Sequence, residues 1–309
     1  MTVSLSAPLL VALLAAATAA AGADRPLRRR FRRPRLLQVL AVGAALVLVP
    51  ANIAYGLASR SGAGPAADGT TTGVQVASLA VLGGLVGLCG VLRIAPAPAR
   101  LPRRVLAVGA HPDDLELACG GTLLRLVDSG HEVHIMVMSH GGRGGDGNVR
   151  AGEAESAGRF LGASGIEVLD LPDTRLARHE NEMAEAIERA IRRHQPDLIF
   201  THSGNDQHQD HRAVHLATLR AARQHPAVLC YESPSVTAGF RPSVFVDISD
   251  QLDAKVCAVA THHDQRAKPY VGERQVRGLA AYRGGQARVP LAEGFEPVRM
   301  TVPLIEEQR

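Results

Sequence analysis

Three long runs without a charged side chain occupy the first third of the chain. They cover residues 3–22, 36–57 and 74–92. About 20 apolar residues are needed to cross the hydrocarbon core of a bilayer, and each run is long enough to do so. The pattern therefore predicts an all-helical transmembrane region over residues 1–96. A short linker with Pro98 and Pro102 follows over residues 97–104 and is typical of a stiff spacer.

From residue 105 onward the pattern changes to short apolar runs that alternate with amphipathic segments. The apolar runs predict strands, and the helical spacing predicts helices. The predicted strands are 105–110, 131–138, 166–171, 197–201, 228–231 and 244–248, and the predicted helices are 115–128, 149–161, 180–194, 211–224 and 250–261. Such alternation favours an α/β domain over residues 105–309, with a mostly parallel sheet covered by helices on both faces.

Charge is distributed unevenly, and its placement predicts the membrane topology. Seven arginines fall between Arg25 and Arg35, four more follow the third run, and the loop between the second and third runs contains only Arg60. Arginine-rich loops stay on the cytoplasmic side of a membrane. Three crossings then place the N-terminus outside and the α/β domain in the cytoplasm, in a multi-pass protein of the cell membrane. The alternative is that the first run is a cleaved signal peptide, although it lacks a basic start.

The net charge of +4 and the pI of about 9.1 raise the question of nucleic-acid binding. Aromatic residues make up only 3% of the chain and tryptophan is absent, so a base-stacking surface is not expected. Basic clusters beside apolar runs are better explained by membrane lipids as partners. The four cysteines are scattered without a CxxC pair, which argues against a disulfide framework or a cysteine metal site.

Polar residues that can do chemistry follow the first, second and fourth predicted strands of the α/β domain. They are His111-Pro112-Asp113-Asp114, the segment 139–147 and the segment 202–211. Ligands of open parallel sheets bind beyond the carboxyl ends of the strands, so these three loops are expected to meet. The glycine-rich segment 141–147 is either a wall or lid of the pocket, or a plain flexible loop.

His111 and Asp114 bracket the turn from the first strand into the first helix of this domain. An imidazole and a carboxylate three residues apart at one turn can close on one ion, and zinc accepts such nitrogen and oxygen ligands. Asp113 is then the carboxylate left over, placed to remove a proton from an activated water. Taken alone, this segment is more typical of a turn with a capping carboxylate than of a metal ligand.

The second candidate cluster lies in residues 205–211. His208 and His211 are three residues apart and share a helix face, so one can bind a metal while the other reaches a substrate oxygen. Asp210 lies between them and could orient an imidazole without touching the metal. Taken alone, such a pair is common on helix faces, and His215 is a competing ligand. Both clusters follow strands at one edge of the sheet, which favours a catalytic metal site.

With these residues assembled, the chain resembles the LmbE-like or PIG-L deacetylase family. The resemblance rests on Ala110–Asp114, Arg150 with Glu153, Leu171-Pro172-Asp173, the segment 205–211 and Ala292–Phe295, in the expected order. Two departures are Leu115 before Glu116, where many members have glutamate directly after the aspartates, and Gln209 in place of a proline. The membrane leader is not part of the general family pattern.

The resemblance implies a Rossmann-like fold and a zinc ion held by His111, Asp114 and His211. It implies Asp113 as general base, His208 as the group that stabilises the oxyanion or protonates the leaving amine, and Arg150 in substrate binding. Expected substrates are N-acetylglucosamine-type conjugates, lipid-linked ones included, from which the acetyl group is removed.

Three other functions compete with that of a deacetylase. An amidase of the same fold, cleaving a larger acyl or thiol conjugate, would use the same metal residues. A nucleotide-binding module is disfavoured, because no G-x-G-x-x-G follows the first strand and Asp113 and Asp114 would repel a phosphate there. A non-catalytic membrane-anchored binding protein is disfavoured by the intact set of metal and base candidates.

Overall fold

The computed structural model describes residues 12–17, 24–60, 70–94 and 98–301, and the chain divides after Ile94 into two units. In the first unit, helix α1 covers Asp24–Arg30, α2 covers Pro34–Arg60 and α3 covers Thr70–Leu92. Within these helices, Pro34–Ala54 and Gly73–Leu92 are long and apolar enough to cross a membrane, judged by length and composition alone. They coincide with the second and third predicted spans. Most of the first predicted span lies outside the described residues, and its described part, residues 12–17, is helical. The three-span region therefore stays a prediction.

Helices α2 and α3 are joined by a buried polar contact. The Asn52 side chain donates to Ser78 Oγ at 3.0 Å and to the Leu48 carbonyl at 2.8 Å. Ser78 Oγ in turn donates to the Val74 carbonyl one turn earlier. Asn52 is 2% exposed and Ser78 is fully buried, and both lie in helices of mostly apolar sequence. One hydrogen bond between otherwise apolar helices fixes which faces of the two helices meet.

The second unit is built on one seven-stranded sheet within residues 98–301. Its order is β3-β2-β1-β4-β5-β7-β6, in which β1 to β5 are parallel and β7 runs antiparallel to both β5 and β6. The strands are β1 Arg104–Gly109, β2 Glu132–Val137, β3 Gly165–Val168, β4 Leu198–His202, β5 Ala227–Tyr231, β6 Val244–Asp247 and β7 Ala292–Met300. The predicted mostly parallel α/β sheet is confirmed.

Helices cover both faces of this sheet, as predicted. They are α4 Asp114–Asp128, α5 Gly147–Leu161, α6 Glu180–His194, α7 Gln209–Ala221, α8 Leu252–Val259 and α9 Glu273–Ala287. Successive side chains of a strand point to opposite faces. Accordingly, Val105 and Ala107 of β1 pack with α4, α5 and α8, while Leu106 and Val108 pack with α6 and α7. Short 3-10 turns lie at 176–178, 263–265 and 269–271.

The end of the chain departs from the expected alternation. Helix α9 and strand β7 were not predicted, and β7 inserts between β5 and β6 instead of following at an edge. Helix α9 contains Gly278, Gly284 and Gly285, which weaken its amphipathic pattern. The pairing of β7 with β5 joins residues about 70 positions apart, so nothing in the local pattern reveals it.

The strand order places a crevice between β1 and β4. From β1 the chain adds β2 and β3 on one side of the sheet, then returns to add β4 and β5 on the other side. The carboxyl ends of β1 and β4 therefore lie side by side at the point where the order reverses. This is where open α/β sheets bind their ligands, because the loops diverge there.

Candidate metal centre

A cavity of about 310 Å³ opens above the ends of β1 and β4. Its walls come from the loops after β1, β2 and β4, as the strand-end rule predicts, and also from the loops after β3, β5 and α8. The lining includes His111, Asp113, Asp114, Arg150, His208 and His211, which are six of the seven predicted site residues. The seventh, Asp210, is fully buried behind them.

The turn from β1 into α4 orients its two aspartates differently. Asp114 folds back, and its Oδ2 accepts hydrogen bonds from the backbone N–H groups of Ala110 at 3.0 Å and His111 at 2.7 Å. Asp113 has a φ of 110°, a conformation that costs a non-glycine residue of the order of 1–3 kcal/mol and that clusters at functional sites. Its side chain is 4% exposed, and no donor among the described residues bonds its Oδ2.

The His111 ring lies between three carboxylates. Its Nε2 is 3.2 Å from Asp173 Oδ1 and 3.2 Å from Asp210 Oδ2, while its Nδ1 is 3.6 Å from Asp114 Oδ2. Asp210 also accepts from the backbone N–H groups of Thr174 and Leu176, which anchors it. With its proton on Nε2, His111 turns the Nδ1 lone pair toward Asp114. Asp210 thus contacts an imidazole, that of His111, and its role in orienting a metal ligand stays a prediction.

His211 repeats this arrangement with the nitrogens exchanged. Its Nδ1 is 2.9 Å from Asp206 Oδ2, and its Nε2 is 3.3 Å from Asp114 Oδ1. Asp206 is held in turn by the hydroxyls of Ser233 and Ser235. A metal-binding imidazole almost always donates its second nitrogen to a carboxylate, carbonyl or water, and both histidines meet that condition here.

The donor atoms around Asp114 fit a divalent cation. Two imidazole lone pairs face its two carboxylate oxygens, an arrangement that is repulsive unless a proton or a cation lies between them. Ligand atoms within 4.8 Å of one another occur in three overlapping sets: His111 with His208 and His211, Asp114 with His202 and His211, and His111 with Asp173 and Asp210. The predicted trio of His111, Asp114 and His211 is not itself one of these sets, so the choice of ligands stays a prediction. Nitrogen and oxygen donors of this kind suit zinc.

The pKa shifts of the buried side chains also indicate that the site favours a positive charge. Burial would lower the pKa of His211, but the Asp114 and Asp206 carboxylates outweigh burial and raise it to about 9. At Asp114 burial opposes ionisation, yet the charge of His211 holds its pKa well below the usual value. Burial, then the Asp114 carboxylate, raise the pKa of Asp113 to about 7 against the opposing charge of Arg150. Asp113 is therefore the carboxylate of this pair that can exchange a proton near neutral pH.

Arg150 is positioned differently from the expectation for a substrate-binding residue. It is 4% exposed, and its guanidinium donates to the carbonyls of Gly141 at 2.5 Å and Pro112 at 2.9 Å. It also lies 3.6 Å from Asp113 Oδ1. Arg150 therefore ties the glycine-rich segment 141–147 to the turn that carries Asp113. It lines the cavity, and its contact with substrate stays a prediction.

His208 lies at the cavity wall and is half-buried. Its ring stacks on His211 with centroids 4.4 Å apart and meets His111 edge-on at 4.9 Å. Its Nδ1 accepts the backbone N–H of Asp210 at 3.3 Å, so its Nε2 is the nitrogen left for other partners. Burial, then the charges of His211 and His111, lower its pKa.

Three further site residues lie in segments that the sequence analysis singled out but received no role there, and His202 is the most deeply placed. It is fully buried at the end of β4, stacks on His211 at 3.9 Å, and its Nε2 accepts the backbone N–H of Ala110 at 3.1 Å. Burial, then the charge of His211, lower the pKa of His202 to about 4, so it is neutral. The other two are Asp173 and Asp206. His202 directly follows the predicted strand 197–201, a position that could have drawn attention to it.

The glycine-rich segment 141–147 is tied down at several points. The Gly144 N–H donates to the Gly141 carbonyl, and the buried Gln265 side chain donates to the Gly144 carbonyl at 3.3 Å. Gly141 has a φ of 66°, and a Cβ there would collide with the Arg150 guanidinium. Of the two interpretations left open, the contacts favour a built wall of the pocket over a plain loop.

Comparison with known proteins agrees with this fold and site. Residues 106–222 match the sequence model of the family described as PIG-L: GlcNAc-PI de-N-acetylase. The chain is 37% identical over 165 residues to the uncharacterized deacetylase YaiS of Escherichia coli. The aligned region covers 51% of this chain and 89% of that protein. It is 31% identical over 220 residues to the diacetylchitobiose deacetylase of Thermococcus kodakarensis. That aligned region covers 62% of this chain and 82% of the relative.

A solved structure supports the same assignment. The conserved protein TT1542 of Thermus thermophilus superimposes with a TM-score of 0.57 at 28% identity, over 67% of this chain and 99% of that one. Fold, site and relatives together define a deacetylase, a hydrolase of amide bonds. The chain belongs to the PIG-L family, which confirms the resemblance seen in the sequence.

Proposed function

We propose that the chain is a zinc-dependent N-deacetylase that acts on an N-acetylglucosamine-type conjugate and is anchored in a membrane. The observation that carries the metal is the pair of imidazoles, each turned by a carboxylate on one side to present its other nitrogen to Asp114. The substrate class is supported by relatives whose names specify N-acetylated amino sugars, such as diacetylchitobiose.

His111, Asp114 and His211 would hold the zinc ion. When bound, it polarises the acetyl carbonyl and activates a water for attack. Asp113 accepts the proton of that water, because its carboxylate is the unligated member of the aspartate pair and exchanges protons near neutral pH. The new C–O bond forms as the carbonyl π electrons move to oxygen.

The second half of the reaction expels the amine. The C–N bond breaks, its electron pair goes to nitrogen, and that nitrogen takes a proton from the protonated form of His208 or the proton that Asp113 accepted from the water. His208 lines the cavity beside His111 and has one ring nitrogen left after its backbone contact, which suits a donor to the oxyanion or to the leaving amine. The products are acetate and a free amino sugar.

An acetate-release assay on a panel of conjugates tests this proposal. The panel holds N-acetylglucosamine glycosides with different aglycones and, as matched controls, the same glycosides with an N-butyryl group. We expect acetate release to exceed butyrate release. Faster butyrate release would instead identify an amidase for larger acyl groups. No release of acetate from any N-acetyl glycoside by the metal-loaded protein would contradict the proposal.

The membrane part of the proposal is supported by the side chains of α2 and α3. Leu46 is 72% exposed, Val86 is 71% exposed and Val91 is 77% exposed, an outward apolar surface that lipid would cover. The arginine-rich loops support a cytoplasmic position of the catalytic unit. Reporter fusions after Arg104 test this placement. Activity of a reporter that works only outside the membrane would overturn it and favour a cleaved first run.

A further inference from the structure

The start of α2 and the end of α3 lie side by side, because main-chain contacts join the segments that flank them. Phe31 and Arg93 pair in an antiparallel bridge. Beside that bridge, the N–H of Arg32 donates to the Leu92 carbonyl at 2.9 Å. The two helices therefore run in opposite directions, and the basic residues before α2 and after α3 gather at the same end of the helix pair.

This joined end of the helix pair carries exposed positive charge. Arg33, Arg35 and Arg93 are exposed. None of the three has a carboxylate at ion-pair distance among the described residues. Residues 24–94 contain nine arginines against two acids, so the sequence supplies few internal partners. The charge at this end of the helices is therefore suited to an anion from outside the chain.

An apolar groove of about 410 Å³ lies between α2 and α3. Its walls include aliphatic side chains such as Leu40 and Leu88, and two glycines, Gly43 and Gly84, belong to its lining. A Cβ built on either glycine would meet no atom within 4 Å, so both positions leave room in the groove. In a bilayer, such a surface between helices packs against lipid tails or against another helix.

The two ends of the groove differ in polarity. Leu88, at one end, precedes Arg93 by five residues, which is about 8 Å along the helix. At the other end Leu48 lies one turn before Asn52, whose side chain bonds Ser78. The groove thus leads from the cationic end of the helix pair toward an uncharged polar contact. This pattern matches a molecule with an anionic head and an apolar tail.

We propose that this groove binds one acidic phospholipid, with an acyl chain between α2 and α3 and its headgroup phosphate at Arg33, Arg35 and Arg93. The inference rests on the proposed membrane anchoring, and this lipid is distinct from the substrate of the catalytic unit. An arginine offers two parallel N–H donors to phosphate oxygens, and basic pockets between membrane helices bind acidic headgroups. Arginines that served only to set the topology would need no groove beside them.

Two lipids that differ in headgroup charge test the site. The full chain in detergent is titrated with phosphatidylglycerol and with phosphatidylcholine of the same acyl chains, and bound lipid is counted by native mass spectrometry. A net negative headgroup beside three arginines predicts about tenfold or more tighter binding of phosphatidylglycerol. Equal affinities overturn the inference. Displacement of the lipid by an equal concentration of soluble glycerol phosphate would also overturn it, because that anion has no acyl chain.

Charge-removing variants assign the preference to the three arginines. We expect Arg33→Gln with Arg35→Gln and Arg93→Gln to bring the two affinities close together. Five other arginines remain in the segment before α2, which preserves the signal for topology. A preference that survives in this variant overturns the inference. The control should keep the full preference, and it removes three exposed arginines of the catalytic unit: Arg178→Gln, Arg189→Gln and Arg274→Gln.

Leucines at the two groove glycines test the position of the acyl chain. Gly43→Leu with Gly84→Leu fills the groove and should weaken phosphatidylglycerol binding severalfold. Gly83→Leu with Gly87→Leu is the matched control, because a Cβ there also meets no atom within 4 Å but neither glycine lines the groove. Unchanged affinity in the groove variant would leave the groove to another helix and overturn the inference.

Flotation with phosphatidylcholine vesicles keeps this result separate from the anchoring itself. If the chain floats with the vesicles but shows no lipid preference in detergent, the anchoring stands and the lipid site is wrong. If the chain does not float, the anchoring fails, and the titration in detergent still decides. Selective binding of phosphatidylglycerol that depends on the arginines and on the groove then supports the site, and its absence overturns it.

Discussion

The helices of residues 24–94 expose large apolar side chains, whereas the catalytic unit buries side chains of the same kind. In α2 and α3 large apolar side chains point outward, as Val39 and Val47 show at 69% exposed each. In the catalytic unit Phe200 and Tyr231 are buried between sheet and helices, and the buried set there also includes many carboxylates and imidazoles. One unit is therefore suited to an apolar surrounding, whereas the other excludes water from a charged site. In the first unit a polar contact fixes packing; in the second, polar contacts orient functional groups.

The largest effect is expected when a ligand of the catalytic unit is removed. His111→Ala or His211→Ala should lose the metal and reduce deacetylation to background, because each takes away one of the imidazoles that face Asp114. His208→Ala should keep its metal, since His208 is not one of the three proposed ligands. Metal content per protein, measured by mass spectrometry, checks all three. Loss of metal from the His208 variant with retention in the His211 variant would reverse the assignment.

Asp113→Ala should keep the metal and lose turnover. Its side chain bonds no predicted ligand, and loss of a general base typically costs about a hundredfold or more in kcat. The measurement is kcat under saturating substrate, together with metal content on the same sample. A variant with nearly normal kcat would remove Asp113 from the mechanism.

A single charge on the exposed apolar surface of α3 tests whether that helix faces lipid. Val86→Lys places an ammonium on the exposed face of α3, where a lysine at the centre of a bilayer costs about 2.5–3.5 kcal/mol. Leu216→Lys is the control, because Leu216 is 53% exposed on α7 of the catalytic unit. We expect the first to reduce the membrane-inserted fraction and the second to leave it unchanged. Equal behaviour of the two variants would mean that α3 does not face lipid.

The smallest of these effects is expected from a residue that acts through a ligand. Asp206→Asn should weaken metal affinity by about 10–100-fold, because it removes the carboxylate that orients His211. Asp170→Asn is the matched control, since that side chain is 83% exposed and pairs with His140. Metal affinity is measured by competition with a chelator. Unchanged affinity in the Asp206 variant would show that the Ser235 hydroxyl, 3.3 Å from His211 Nδ1, suffices to orient the ring.

Periodicity predicted most of the fold because most of its elements are local. The strand from 105 and the helix from 180 bury regular sets of side chains, so their positions could be derived from spacing alone. Strand β7 could not, because its place between β5 and β6 depends on pairing with residues far along the chain. The parallel sheet was predictable as a class, but its order was not.

The candidate site likewise contains residues that local sequence patterns predict and residues that only tertiary contacts define. His111, Asp113 and Asp114 were identified because a polar turn directly after a buried strand is a local pattern with a known consequence. Asp206 received no role because its significance lies in its contacts with Ser233 and Ser235, which belong to another loop. His202 received no role because its ring stacks under His211 only after β4 and α7 have packed. Residues that orient ligands are defined by tertiary contacts.

Metal content and deacetylation rate, measured together on one sample, test the central claim most directly. The wild-type chain is depleted with a chelator in steps and then reloaded with zinc, and both quantities are recorded at each step. The account predicts that the rate falls in proportion to bound metal and returns on reloading, while His211→Ala shows neither binding nor rate. A deacetylation rate that stays constant as the metal is removed would contradict it.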